Sequence, residues 1–421
     1  MQSTIAIGIF AIVMIAIISD KVDSTAASVA GAVLLLLSHI LTVEKAVSYI
    51  DFNTLGLLIG MMLFVSVVKA SGMFEYIAIR SAKMAKGNPW KIMMLFMIVT
   101  ACLSAFLDNV TTVLLIGPMT ISIAGILKIN PVPMLLTQIL ASNIGGTATL
   151  IGDPPNIMIG SAAKLSFLDF IKNTAPVVVV IMIILVLVFK FIYGKKFSVN
   201  SDAVSEIMAL DEKKSISDMS LLIKSVIMIV LVVIGFITHN LLKIESSVIA
   251  LTAGTVMLLI GKQDVEDIIH EVEWSTIMFF SSLFVVVGGL VETGVVNKLA
   301  HLIVEYTADS PILVMLVLLW ASALISAVLN NIPFIATLIP LIMAMGKSGI
   351  DITPLWWTIS LGACLGGNGT LIGASANVLL STISTKHGFP ITFKSYMKVG
   401  FPVMILTIFI STIYLLLRFS V

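Results

Sequence analysis

The sequence predicts an all-α polytopic membrane protein made of two inverted repeats, each with five crossings, one of them a broken helix, plus one re-entrant hairpin. Three observations predict this. Of 421 residues, 59% are hydrophobic and only 11% charged, with a mean hydropathy of +1.13, whereas a soluble domain carries about a quarter charged residues. Apolar runs long enough to cross a bilayer recur throughout. Each half also carries a Gly-rich polar interruption inside such a run, at matching positions. No basic cluster is large enough to engage nucleic acid, and no nucleophile–base set points to an enzyme.

The elements follow in order. Runs at 4–19 and 24–41 are the first two crossings. The first lacks a basic flank and a small-residue cleavage site, so it reads as a retained helix. A short polar connection with Glu44, Lys45 and Asp51 leads to a crossing at 53–70. Segment 74–86 is short, amphipathic and basic through Arg80, Lys83 and Lys86, which predicts a helix lying along the membrane surface. Arms at 89–107 and 110–127 are joined only by Asp108-Asn109, giving a re-entrant hairpin over 89–127. Two full crossings with Asp108 in water are the alternative. A broken helix spans 132–164, and 170–193 closes the first repeat, 1–193. The charged segment 194–220 is the expected cytoplasmic linker. The second repeat, 221–421, starts with crossings at 221–238 and 246–260, and carries a hairpin at 311–346 and a broken helix at 354–385.

The duplication is visible residue by residue. Val43-Glu44 matches Val265-Glu266, Asp51-Phe52-Asn53-Thr54 matches Glu273-Trp274-Ser275-Thr276, and Asp108-Asn109 matches Asn330-Asn331, all at an offset of 222. Gly145-Gly146 through Gly152 falls on Gly366-Gly367 through Gly373, and Asn156 falls on Asn377, at an offset of 221. An odd number of crossings separates equivalent points, so the halves have opposite orientation. With the linker inside, Lys21, Lys69, Arg80, Lys83, Lys86, Lys128, Lys195 and Lys196 share its side, against fewer cations, such as Lys45, Lys164 and Lys243, on the other. This asymmetry predicts a cytoplasmic-membrane protein with both termini outside.

The polar residues at the interruptions are the candidate site. Broken backbone at membrane depth is tolerated where it is buried in protein or lines a wet cavity, and a matched pair of breaks in inverted repeats points to a transporter site near the midplane. The expected substrate- or ion-binding groups are Asp108, Asn109, Thr111, Thr112, Asn143, Gly145, Gly146, Thr147, Thr149, Asp153 and Asn156 in the first half. In the second half they are Asn330, Asn331, Gly366, Gly367, Asn368, Thr370, Ser375 and Asn377. Asp108 and Asp153 are the acids beside the breaks, so they are the expected carriers of a coupling proton or Na⁺. No cofactor or bound metal is expected beyond a coupling ion, with Na⁺ placed near Asp108, Asn109 and Gly146. Cys102 and Cys364 fall in apolar runs and are expected as free, buried thiols. The five histidines show no metal-ligand spacing.

At these residues the chain resembles the ion transporter superfamily, in the branch of ArsB/NhaD/P-protein-like permeases. The stretch Asn143 to Asn156 carries that resemblance, and the Asn109 and Asn331 tips are similar to the hairpin tips of dicarboxylate/sodium symporters. Those carriers have Ser-Asn-Thr at each tip, and only the Asn is kept here. The resemblance implies two hairpins, two broken helices, a scaffold that dimerises, and elevator-like movement of the site. The expected function is ion-coupled secondary transport. An arsenite- or antimonite-type solute exported in exchange for protons leads. Na⁺/H⁺ antiport, dicarboxylate or citrate transport, and a channel are the alternatives.

Overall fold

The computed structural model describes residues 1–19, 21–194, 201–307 and 310–419. Among these residues are twenty-two α-helices, one 3-10 turn and no strand. The first half runs α1 (Gln2–Ser19), α2 (Ser24–Leu37), α3 (Val43–Tyr49), α4 (Phe52–Lys69), α5 (Met73–Met84), α6 (Pro89–Ser104), α7 (Asn109–Ile126), α8 (Val132–Gly146), α9 (Pro154–Ala163), α10 (Phe167–Asn173) and α11 (Ala175–Tyr193). The connecting segment holds α12 (Ser201–Ala209) and the turn Glu212–Ser215. The second half runs α13 (Met219–Leu242), α14 (Ser246–Gly261), α15 (Val265–His270), α16 (Trp274–Glu292), α17 (Val295–Thr307), α18 (Pro311–Ser326), α19 (Asn331–Lys347), α20 (Thr353–Gly366), α21 (Ser375–Lys386) and α22 (Phe393–Phe419).

Helix starts are written in the sequence. Asp23, Thr42, Asp51, Asn88 and Asp108 cap α2, α3, α4, α6 and α7 by accepting from orphan backbone N–H groups. Prolines at the first turns of α6, α8, α9, α11, α18 and α20 cost no hydrogen bond there. The duplication extends to details. Pro118 lies inside α7 and Pro340 inside α19, and Asn330 caps α19 as Asp108 caps α7.

Packing follows the same rule, with the halves exchanged. α4 packs on α14 and α2 on α16; α6 packs on α8 and α18 on α20; α7 packs on α21 and α19 on α9. The α4–α14 contact is backbone to backbone. A Cβ at Gly60 would lie 2.4 Å from the carbonyl carbon of Ala250. Small residues allow this approach, which drives helix association where lipid removes the hydrophobic contrast. The equivalent α2–α16 contact is a hydroxyl pair, Ser28 to Ser282 at 2.7 Å.

Several expectations are corrected. The polar connection after α2 contains a helix, α3, too short to show periodicity. The run at 170–193 is two helices meeting at Thr174, because Pro176 opens α11. The break in 132–164 is as expected: α8 stops at Gly146 and Pro154-Pro155 opens α9, since proline fits a first turn and not an interior. Cys102 is exposed on α6, whose opposite face packs on α8; only Cys364 is buried. The expected surface helix, α5, buries Met73, Phe74, Ala78, Ser81 and Ala82. Its basic face holds the connecting segment. Arg80 and Lys83 donate to Glu212 at 3.1 and 2.5 Å, and the Ser217 N–H donates to the Ser71 carbonyl at 3.1 Å. Residues 195–200, with Lys195 and Lys196, lie outside the described residues.

The Lys83 hydrogen bond is the main cause that holds the Glu212 carboxyl down at about 2, from an ordinary 4.5. A depressed carboxylate contributes stability above its unfolded value and loses it as pH falls through the folded one. Docking of this segment on α5 is therefore expected to be complete above pH 4.5 and to be lost as pH falls toward about 2. Limited proteolysis between α11 and α13 measures it. Glu212→Gln at neutral pH should cut as the unmodified protein does in acid.

Candidate functional site

Both long interruptions sit against the hairpin turns. α8 ends at Gly146 and α9 begins at Pro154, while α20 ends at Gly366 and α21 begins at Ser375. The Thr149 hydroxyl donates to the Ala105 carbonyl in the first turn, and Thr370 donates to Ala327 in the second. Ser104 donates to the Ser142 carbonyl and Ser326 to Ala363, both at 2.7 Å. Each hairpin is thus tied to the broken helix of its own repeat by the same pair of hydroxyls.

The depth of the turns follows from where they meet. The Asn109 amide donates to the Asp153 carboxylate at 3.3 Å. The Asn331 amide reaches the same carboxylate at 3.2 and 3.4 Å. Asn109 starts α7 and Asn331 starts α19, in repeats of opposite orientation. Arms entering from opposite faces can share one carboxylate only if both turn back inside the bilayer. The hairpins are re-entrant.

Around this carboxylate the amides form one network. Asn143 accepts from Asn109 at 3.1 Å, and donates to Asn368 at 2.9 Å and to Asn377 at 2.8 Å. Asn377 closes the second break by donating to the carbonyls of Gly367 and Thr370, at 2.8 and 3.0 Å. Asn156 closes the first by donating to the carbonyls of Gly146, Thr147 and Thr149, at 3.4, 3.2 and 2.9 Å. Asn143, Asp153, Asn156, Asn368 and Asn377 have no solvent exposure, and Asn109 and Asn331 have 3% each. The Asn368 Nδ2 group is buried and has no hydrogen-bond partner. A buried donor left unmet costs about 1–3 kcal/mol, and an acceptor brought by a bound group could relieve it.

The glycines do two jobs. Gly146 faces Gly152, and Gly367 faces Gly373. A Cβ at Gly146 would lie 2.4 Å from the Gly152 carbonyl oxygen, and one at Gly373 would lie 2.6 Å from that of Gly367. Gly145 and Gly366 instead let α6 and α18 approach, with Ala101 and Ala323 in the way of any Cβ. The remaining candidates lie off the centre. Thr147 and Thr112 bond the carbonyls four residues back, of Asn143 and Asp108. Thr111 donates to Asp108 through its hydroxyl and its backbone N–H. Asn330 donates to Ser375 at 3.1 Å on a more open flank.

The repeat is broken where the chemistry lies. Asp153 has Ala374 as its counterpart, Asp108 has Asn330, Thr147 has Asn368, and Asn143 has Cys364. Cys364 is the free, buried thiol expected, and it lies 3.5 Å from the side-chain amide oxygen of Asn156, as the Asn143 amide meets Asn377 in the other half. Ser360 joins it, donating to the same oxygen at 2.6 Å. The repeat offset, carried from Gly145-Gly146 back to Asn143, would have found Cys364. Nothing in the sequence marks Ser360.

Asp153 is a carboxylate on the pseudo-twofold with no cation beside it. The ion pairs among the described residues are Lys45–Glu292, Lys69–Glu271 and Glu212 with Arg80 and Lys83, all away from this centre. Among the described residues, no three His, Cys, Asp or Glu side chains gather to hold a metal ion. An isolated carboxylate at membrane depth is expensive and is relieved when a proton or small cation neutralises it. The N-termini of α7, α9, α19 and α21 converge on the same place and supply partial positive charge. The arrangement can alternate between a charged and a neutralised Asp153 while amides and hydroxyls hold a small solute.

Comparison with known proteins decides the family. The citrate transporter (CitMHS) family profile matches residues 14–362. The chain belongs to this family. Among similar proteins, an uncharacterised transporter of Mycobacterium tuberculosis is 40% identical over 100% of this chain and 99% of its own. The P protein of Sus scrofa is 32% identical over 99% of this chain, which spans 59% of that protein. The YdaH transporter of Alcanivorax borkumensis shares the fold, with a TM-score of 0.62 at 14% identity, covering 92% of this chain and 89% of that one. This CitMHS protein is a polytopic membrane transporter of a small molecule or ion, and not an enzyme.

Proposed function

We propose that this protein is an ion-coupled secondary active transporter of the cytoplasmic membrane, with the coupling proton or Na⁺ carried on Asp153. One observation carries the reading: the Asp153 carboxylate is held by Asn109 and Asn331, one from each inverted repeat, with no cationic side chain bonded to it. Neutralisation at that point is felt by both hairpins at once, which is what couples an ion to a change of access. Asp108, bonded to Thr111 at the first turn, serves as the second acid on the ion's route.

The solute that this lining fits best is a small hydroxylated one of the arsenite class, exported against protons. The lining offers amide donors, carbonyl and hydroxyl acceptors and the Cys364 thiol, with no guanidinium or ammonium to pair with a polyanion. A second reading is citrate or another small carboxylate, supported by the family match and by the four converging helix N-termini. Proteoliposomes with an internal pH dye separate these readings. Addition of arsenite is expected to move protons. A response to Na⁺ alone makes the protein a Na⁺/H⁺ antiporter, and a response to citrate alone installs the second reading. Discrete unitary currents in a planar bilayer would replace the carrier by a channel.

A further inference from the structure

The inverted repeat builds the same crevice twice, once on each face, and the two differ in chemistry. On the face opposite the connecting segment the crevice has a volume of 510 Å³, between α3, α16, α9 and α19. Its walls are largely apolar, with Val287, Val291, Ala336, Ile339 and Met343 prominent. Its one carboxylate, Asp51, is engaged: it caps α4 and accepts from Ser161 at 2.9 Å.

On the connecting-segment side, two cavities lie in series. An outer one of 400 Å³ is lined by Glu75, Asp267, Lys69, Glu271 and Ser66. An inner one of 210 Å³ shares Ser66, Lys69 and Glu271, and continues to Glu273 and Thr111. The shared neck carries the Lys69–Glu271 ion pair at 2.9 Å. Beyond Thr111 comes Asp108, which Thr111 holds. Thr111 and Glu273 line the same inner cavity, and Asn109, next to Asp108 in the chain, donates to Asp153 at 3.3 Å. Glu75 Oε2 is buried and without a hydrogen-bond partner. Among the described residues, Thr276 is the side chain that donates to the Glu273 carboxylate, at 2.9 Å.

The two linings correspond at most positions, so the difference is written into the repeat. Glu273 answers to Asp51, Lys69 to Val291 and Glu271 to Tyr49, while Thr111 answers to Pro333, which does not line the opposite crevice. We propose that the connecting-segment side carries a dedicated cation route. It enters past Glu75 and Asp267, passes the Lys69–Glu271 neck, relays through Glu273 to Asp108, and ends at Asp153. Carboxylates in a low-dielectric crevice concentrate cations and exclude anions. The proposal rests on the reading of Asp153 as the coupling acid, but the route itself is testable without any solute. Glu273 is a positioning and relay residue, and Lys69 sets how readily the neck opens.

The test introduces Ser66→Cys into a Cys102→Ala background, in vesicles exposing the connecting-segment side. Cationic and anionic methanethiosulfonate reagents are then compared. The cationic reagent is expected to label about tenfold faster, with Glu271→Gln and Glu273→Gln together bringing the two rates to parity. Equal rates in the parent overturn the route. In solute-driven proton flux, Glu273→Gln alone is expected to slow turnover about tenfold or more at unchanged KM, and normal turnover with normal pH dependence overturns the relay. A charge preference at Ser66→Cys together with coupled flux that survives Asp153→Asn keeps the route and removes the coupling role of Asp153.

Discussion

Asp153→Asn is expected to abolish coupled transport, by about 100-fold or more, while leaving the protein folded. The substitution keeps the volume and a hydrogen-bonding oxygen for Asn109 and Asn331. It removes the one group on the pseudo-twofold that can take up and release a cation. Any residual movement of solute should be independent of pH and of Na⁺. The equivalent position is Ala374, so the second repeat holds no substitute acid there. Flux in proteoliposomes measures this, and size-exclusion behaviour of the purified variant confirms that folding is intact. Full coupled flux in the variant would remove Asp153 from the account.

Asn143→Ala has the second largest expected effect, on stability and transport together. Asn143 joins the two repeats: it accepts from Asn109 and donates to Asn368 and Asn377. Truncation leaves one donor and two acceptors without partners in a site that excludes water. Each costs about 1–3 kcal/mol. Because the three share a network and their effects do not add, the loss is roughly 3–6 kcal/mol, a fall of roughly 3–7 °C in Tm for a chain of this length. Solute transport should vanish even where the variant remains folded. An Asn143→Ala protein that melts and transports normally would contradict the network.

How much of this was legible in the sequence can be judged at particular residues. The asparagines at 109, 143, 156, 331, 368 and 377 all belong to the central network, and they stood out as amides inside apolar, Gly-rich runs. The duplication gave the fold class, because matching breaks at a fixed offset survive any uncertainty in helix ends. The depth of the hairpins was not legible. Arms of this length fit a crossing or a re-entrant turn, and only the shared contact with Asp153 separates them. Cys364 and Ser360 were lost because a lone thiol or hydroxyl in an apolar helix reads as packing. Glu273 was lost because an acid at a helix start reads as a cap, yet its side chain caps nothing and faces a crevice. α3 and the α10–α11 junction were lost for want of length.

The central claim is that Asp153 exchanges a proton or Na⁺ in the folded protein, and it can be measured without knowing the solute. pH-difference infrared spectra of the purified protein, recorded with and without Na⁺, report the carbonyl band of a protonated buried carboxyl. The account predicts a band that appears on acidification, responds to Na⁺ when that is the coupling ion, and is missing from Asp153→Asn. An identical band in both proteins, or none in either, would contradict it.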